Sequence, residues 1–203
     1  VNTPELSVEL LSRIEDAGLN ASAPPQQRWV DGWLVRFSPG KAQRARCINA
    51  VATGRLPLSE KLAACQALYR SAGLRLLFRI TPFSQPPGLD DWLAQRGYQR
   101  FADTHVMVCT TLPRHRDGET LEGMSFGFVD SEAYAHIVGE FRGTELSGRR
   151  AHAERLAHSP VPYEGMVLRA ADGDVLACAQ YAIESGMVGL YDVFTAPAAR
   201  GKG

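Results

Sequence analysis

The residues with chemical potential cluster in the stretch Leu190 to Gly203, which reads Leu-Tyr-Asp-Val-Phe-Thr-Ala-Pro-Ala-Ala-Arg-Gly-Lys-Gly. Leu190 to Thr195 is short, apolar and β-prone, and predicts a buried strand. Pro197 ends any ladder, because proline has no N–H to donate. Arg200, Gly201, Lys202 and Gly203 then form a basic, glycine-bearing loop. Glycines allow close approach and positive φ, and a helix opening after such a loop turns free N–H groups onto an anion. The chemistry this suggests is phosphate binding. Two phosphate loops do not fit. Gly-x-x-x-x-Gly-Lys-Ser/Thr would need glycine where Ala196 stands, and Gly-x-Gly-x-x-Gly is not completed.

With strand, proline, spacing and loop together, the stretch resembles the acyl-CoA signature of the GNAT superfamily of N-acyltransferases, commonly Arg-Gly-x-Gly-x-Gly. Arg200, Gly201, Lys202 and Gly203 supply four of those six places. The resemblance implies acetyl-CoA as co-substrate, no metal, and transfer of the acetyl group to an amine on a small molecule or peptide. It implies a pantetheine arm paired with the backbone of Val193, Phe194 and Thr195, so that Phe194 is expected to tolerate leucine. The pyrophosphate would lie on the N–H groups of Arg200, Gly201, Lys202 and Gly203. It also implies an α/β (α+β) fold with a mixed, mostly antiparallel central sheet flanked by helices. The sequence stops inside the loop, so a longer polypeptide is expected, with the general acid, a tyrosine in this family, beyond Gly203.

Some members of the family carry a catalytic carboxylate near the position of Asp192, which makes it the candidate general base. Strand alternation puts its side chain opposite those of Tyr191 and Val193, and burial on the strand would raise its basicity. The alternative role is a structural Asp bonded to a neighbouring loop. Tyr191 and Glu184 are secondary candidates. His136, His152 and His158 fall in the helices that shape the family's acceptor pocket, or are ordinary packing residues. No His-Glu-x-x-His pattern includes these or His105 and His115. Arg142, Arg149, Arg150 and Arg155 either meet an acidic acceptor or form a solvated face.

The elements that position these residues form two related units. From Met124, a strand to Val129, a helix capped by Asp130 or Ser131 and running to Phe141, and a helix Ser147 to Ala157 precede a meander. Its strands are Gly165–Ala170, Val175–Ile183 and the final one, turning at Asp172-Gly173 and Ser185-Gly186. The earlier half predicts a helix from Pro4 to Ala17 stopped by Gly18, and a hairpin turning at Asp31-Gly32. A strand at Ala45–Ala52, a helix at Pro57–Ser71 capped by Ser59, a strand at Leu74–Thr81, a helix at Leu89–Arg96 and a strand at Tyr98–Leu112 follow. Leu89 to Tyr98 resembles the family's last helix and following strand. The corresponding loop, Ala52 to Leu58, has a single glycine, so no cofactor is expected there. The resemblance implies domains at 1–112, a degenerate GNAT-like unit without a phosphate loop; 113–118, a linker; and 119–203, the opening half of a GNAT domain.

Composition is that of a soluble globular protein: 45% hydrophobic, 22% charged and a net charge of zero. No global positive field recruits nucleic acid or a membrane, and a homodimer is left open. Cys47, Cys65, Cys109 and Cys178 form no Cys-x-x-Cys pair and are expected as buried thiols in a reducing cytoplasm. The reading from another functional class is a non-catalytic acyl-CoA-binding or interaction module on the same fold.

Overall fold

The computed structural model describes residues 6–38, 42–111 and 123–201. The described residues are mixed α/β and form two mostly antiparallel four-stranded sheets flanked by helices. The expected linker 113–118, Lys202 and Gly203 lie outside the described residues.

The second sheet holds the candidate site. It has the order β5-β6-β7-β8, from β5 (Met124–Val129), β6 (Tyr163–Ala170), β7 (Val175–Glu184) and β8 (Met187–Thr195), all antiparallel. Between β5 and β6 run α4 (Ser131–Phe141) and α5 (Leu146–Ala157). The Asp130 side chain caps α4 by accepting from the N–H of Ala133 at 2.8 Å. One sheet face buries Val167 and Cys178 against Tyr134, Val138 and Leu156. The helix comes this close because Gly165 has no side chain: a Cβ there would lie 2.9 Å from the Tyr134 Cβ and from the Val129 carbonyl.

The other face is not covered among the described residues. Phe126, Phe128, Ile183, Val188 and Leu190 are all exposed on it, Phe128 by 65%. β8 is therefore an edge strand with one open face, not the buried strand its composition suggested.

The first sheet has the order β1-β2-β3-β4: β1 (Gln27–Val30), β2 (Trp33–Arg36), β3 (Ile48–Asn49) and β4 (Phe78–Arg79). The Asp31-Gly32 hairpin forms as expected, with both residues at positive φ. The expected strand over Ala45–Ala52 shrinks to two residues. Residues 43–46 wind into a 3-10 turn, and beyond Asn49 the chain bends as the N–H of Val51 donates back to the Asn49 carbonyl. The expected Leu74–Thr81 strand is paired only at Phe78 and Arg79. Tyr98 to Thr111 forms no strand, and Phe101, Val106 and Met107 are exposed. α2 (Leu58–Ser71) lays Leu62, Cys65 and Tyr69 on a core with Trp33, Val35 and Ile48. Pro57, not Ser59, occupies its N-cap position. α3 (Leu89–Ala94) adds Leu89 and Leu93. Trp33 is core and Trp29 is exposed.

The first helix, α1 (Val8–Ala21), runs through Gly18 instead of stopping there. Its last carbonyls are satisfied by Arg36, which is buried. That guanidinium donates to the Leu19 carbonyl at 2.7 Å and the Ser22 carbonyl at 3.2 Å. Helix α1 also joins the two sheets. Glu15 pairs with Arg79 of β4, while Arg13 donates to the Ser185 carbonyl and Asn20 to Glu184 at the β7–β8 turn. Tyr163 of β6 donates to the Ala21 carbonyl at 2.7 Å.

Cys47, Cys65 and Cys178 are buried free thiols, and burial raises Cys65 to about 11. Cys109 is exposed, contrary to expectation, because the segment that carries it is not paired into a sheet. No helix among the described residues is long and apolar enough to cross a membrane.

The tight α4–β6 contact gives a direct test. Gly165→Val should lower unfolding stability by about 2–3 kcal/mol through overpacking, measured by urea denaturation. A change under ~0.5 kcal/mol would mean the contact is looser than described.

Candidate functional site

A β-bulge interrupts the β7–β8 ladder. Cys178 is opposite Phe194 and Gln180 is opposite Tyr191, so Asp192 and Val193 together face the single residue Ala179. Asp192 takes φ 50°, a left-handed conformation that Asp tolerates better than most residues. The bulge breaks the expected alternation. The Asp192 side chain points to the helix-covered face, where it meets Gln180, the register partner of Tyr191. Val193 is exposed.

The bulge is pinned from below. The Tyr134 hydroxyl, on α4 and wholly buried, donates to the Asp192 carbonyl at 2.7 Å. Around the Asp192 carboxylate, Arg142 at the end of α4 donates to Oδ1 at 3.2 Å and Gln180 Nε2 donates to Oδ2 at 3.4 Å. His152 Nε2, from α5, lies 3.6 Å from Oδ2. The carboxylate side chain is 34% exposed, so it is not the desolvated group expected from a buried strand.

Charge in this cluster is set mainly by burial. Desolvation pushes His152 below its ordinary value, the positive charges of Arg155 and Arg142 push the same way, and Asp192 opposes them. His152 is consequently a neutral imidazole at pH 7, its Nε2 lying beside the Asp192 carboxylate. Burial likewise lowers Arg155, while Asp192 and Tyr163 favour its charged form. The tyrosines Tyr134, Tyr163 and Tyr191 are all pushed upward by burial, which holds them as neutral hydrogen-bond donors.

The other candidates are placed as follows. Tyr191 packs edge-on against Tyr163, and Glu184 accepts from Asn20 of α1 at 2.9 Å. His158 engages the Glu154 carbonyl on its own helix, and His105 is exposed. His136 makes no hydrogen bond with the described residues, and His115 lies outside them. Arg149 is spent on structure, donating to Glu140 and to the Thr144 carbonyl. Arg150 is exposed. Arg142 belongs to the site through its bond to Asp192, and Arg155 contributes its charge nearby.

Gln180 and Tyr134 carry no family signature. Gln180 was nonetheless visible as the one polar residue inside the run Val175–Ile183.

After Thr195 the chain makes a 3-10 turn, Pro197–Ala199. The Arg200 side chain folds back, donating to the Thr195 carbonyl at 3.1 Å and lying over the Phe194 ring. Gly201 takes φ 72°, with open space around it. Phe194 stacks on Phe141 with centroids 4.8 Å apart, so its side chain has a packing role that leucine would not reproduce.

A His whose folded value is depressed contributes stability above its unfolded value, about 6.5. That contribution is lost as pH falls through the folded value. Thermal melts from pH 8 to pH 5 should therefore show the wild type losing more stability than His152→Gln. Parallel curves would mean that His152 is not held neutral.

No protein-family model and no curated protein matches this chain.

Proposed function

We propose that this chain provides the acyl-CoA side of an N-acetyltransferase of GNAT type, moving an acetyl group from acetyl-CoA to an amine. The observation that carries this reading is the bulge on edge strand β8. An edge strand leaves backbone N–H and C=O groups for an added strand-like segment, and the pantetheine arm would take that place beside Val193, Phe194 and Thr195. The positive-φ Gly201 then lies in the loop where the pyrophosphate would sit, with Arg200, Lys202 and Gly203.

In the reaction the amine nitrogen attacks the thioester carbonyl carbon. A C–N bond forms, the C–S bond breaks, and the sulfur leaves, taking up the second proton that the attacking nitrogen sheds, to become the CoA thiol. The ammonium acceptor must first lose a proton. Asp192 is the base, with the neutral His152 beside it. Tyr134, Gln180 and Arg142 are positioning residues that fix where the carboxylate points. The first unit, whose loop after β3 has a different construction, is a non-catalytic partner.

The second reading is a non-catalytic acyl-CoA-binding or interaction module. The open apolar face of Phe126, Phe128, Ile183, Val188 and Leu190 favours it, since such patches mark contact surfaces.

Turnover separates the two. With an amine panel and thiol release as the readout, Asp192→Asn should slow transfer roughly 10²–10⁴-fold, with acetyl-CoA affinity held within about threefold. Wild-type protein that binds acetyl-CoA and transfers to no amine would favour the module.

A further inference from the structure

Successive backbone N–H groups in a loop, unpaired with any carbonyl, can converge to cradle an anion. In the first unit that loop is residues 50–57, between β3 and α2. It follows the third strand of an antiparallel meander, β1-β2-β3, just as the 196–201 loop follows β6-β7-β8.

The anion at this loop belongs to the chain. Asp31, in the β1–β2 turn, has Oδ2 at 2.8 Å from the backbone nitrogens of both Arg55 and Leu56, and Oδ1 at 3.0 Å from that of Arg55. Lys61, one turn into α2 and wholly buried, brings Nζ to 3.7 Å from Oδ2 and donates to the Thr53 carbonyl at 2.6 Å. The same ammonium lies 4.5 Å from the centre of the Trp33 ring. The Arg55 side chain, 96% exposed and 3.9 Å away, adds little.

The loop is also shaped around the carboxylate. At Gly54, φ 73°, a Cβ would fall 2.3 Å from Asp31 Oδ2 and 2.1 Å from the Asp31 carbonyl. These contacts hold the Asp31 carboxyl below its usual range, the N–H of Leu56 being the largest cause.

We infer that residues 50–57 form an anion-binding loop whose anion is supplied from within: the Asp31 carboxylate, held by the Arg55 and Leu56 amides and Lys61, fills the place of a ligand's phosphate or carboxylate. The first unit is thereby closed to anionic ligands by its own chain. This goes beyond the acyl-transfer reading and stands without it.

A competing role for Asp31 is the turn alone, because its φ of 42° suits Asp, Asn or Gly. Asp31→Gly and Asp31→Asn both keep that conformation, so a turn-only role leaves stability unchanged. A self-supplied anion gives another result. In chloride buffer Asp31→Gly should melt roughly 5 °C or more below wild type. Sodium acetate or inorganic phosphate should restore at least half of that loss in a saturable manner, shifting the Arg55 and Leu56 amide resonances. Wild type, whose slot is filled, should show no such shifts. Asp31→Asn should also melt lower, since it leaves the buried Lys61 ammonium without its counter-charge and sets an NH₂ group against the Arg55 N–H. The inference is overturned if both variants melt with wild type. It is equally overturned if neither anion stabilises Asp31→Gly or moves those amides, or if the wild-type amides shift. The Asp31→Asn melt decides the matter alone if Asp31→Gly does not fold.

Discussion

The Tyr134 hydroxyl, buried against the Asp192 carbonyl, is the contact on which the candidate site depends. A buried hydroxyl or carbonyl left without a partner costs about 1–3 kcal/mol, so this bond favours the bulged form of β8 over a regular ladder. The bulge turns the Asp192 carboxylate toward α5, within 3.6 Å of His152. Tyr134 reaches the strand only because Gly165 lets α4 close onto β6. Helix approach, bulge and carboxylate direction are thus one chain of cause. Arg142 and Gln180 then hold the carboxylate at its two oxygens. Removal of either would free its direction more than its charge.

The two sheets use the same local device differently. Each has an antiparallel meander whose third strand runs into a loop. In the first, the loop closes on a carboxylate from the preceding hairpin, and a buried lysine completes the charge balance. In the second, Arg200 folds onto Thr195 and Phe194, and Gly201 lies in open space. Helix α1 ties the two together through Arg36 and Glu15 on one side and through Ser185, Glu184 and Tyr163 on the other. The β7–β8 hairpin is held at its turn by a helix that belongs to the other half of the chain.

The second sheet was legible because its signals are local. Asp130 caps a helix, Asp172-Gly173 and Ser185-Gly186 turn hairpins, and the strands between them are long enough for pattern to decide. The first sheet was less so. β3 and β4 pair over two residues each, and their extent depends on a buried Asn49, a backbone bend at Val51 and a parallel contact far along the chain. Gly18 looked like a stop because nothing nearby announces that Arg36 will satisfy the carbonyls beyond it. Asp192 was singled out by type and place, yet its direction was misjudged, because alternation has no means of marking an extra residue opposite Ala179. Asp31 was legible as a turn residue only. Its amide partners lie 24 and 25 residues away, and no short motif encodes that contact.

The acyl-CoA binding proposed for strand β8 and the loop after it has a direct readout. Calorimetric titration of acetyl-CoA into the full-length protein tests it most directly, beside a Gly201→Val variant whose side chain strains the positive φ there. The expected dissociation constant is near micromolar, about −8 kcal/mol, weakened at least tenfold in the variant. No heat of binding, or equal binding by the two proteins, would contradict it.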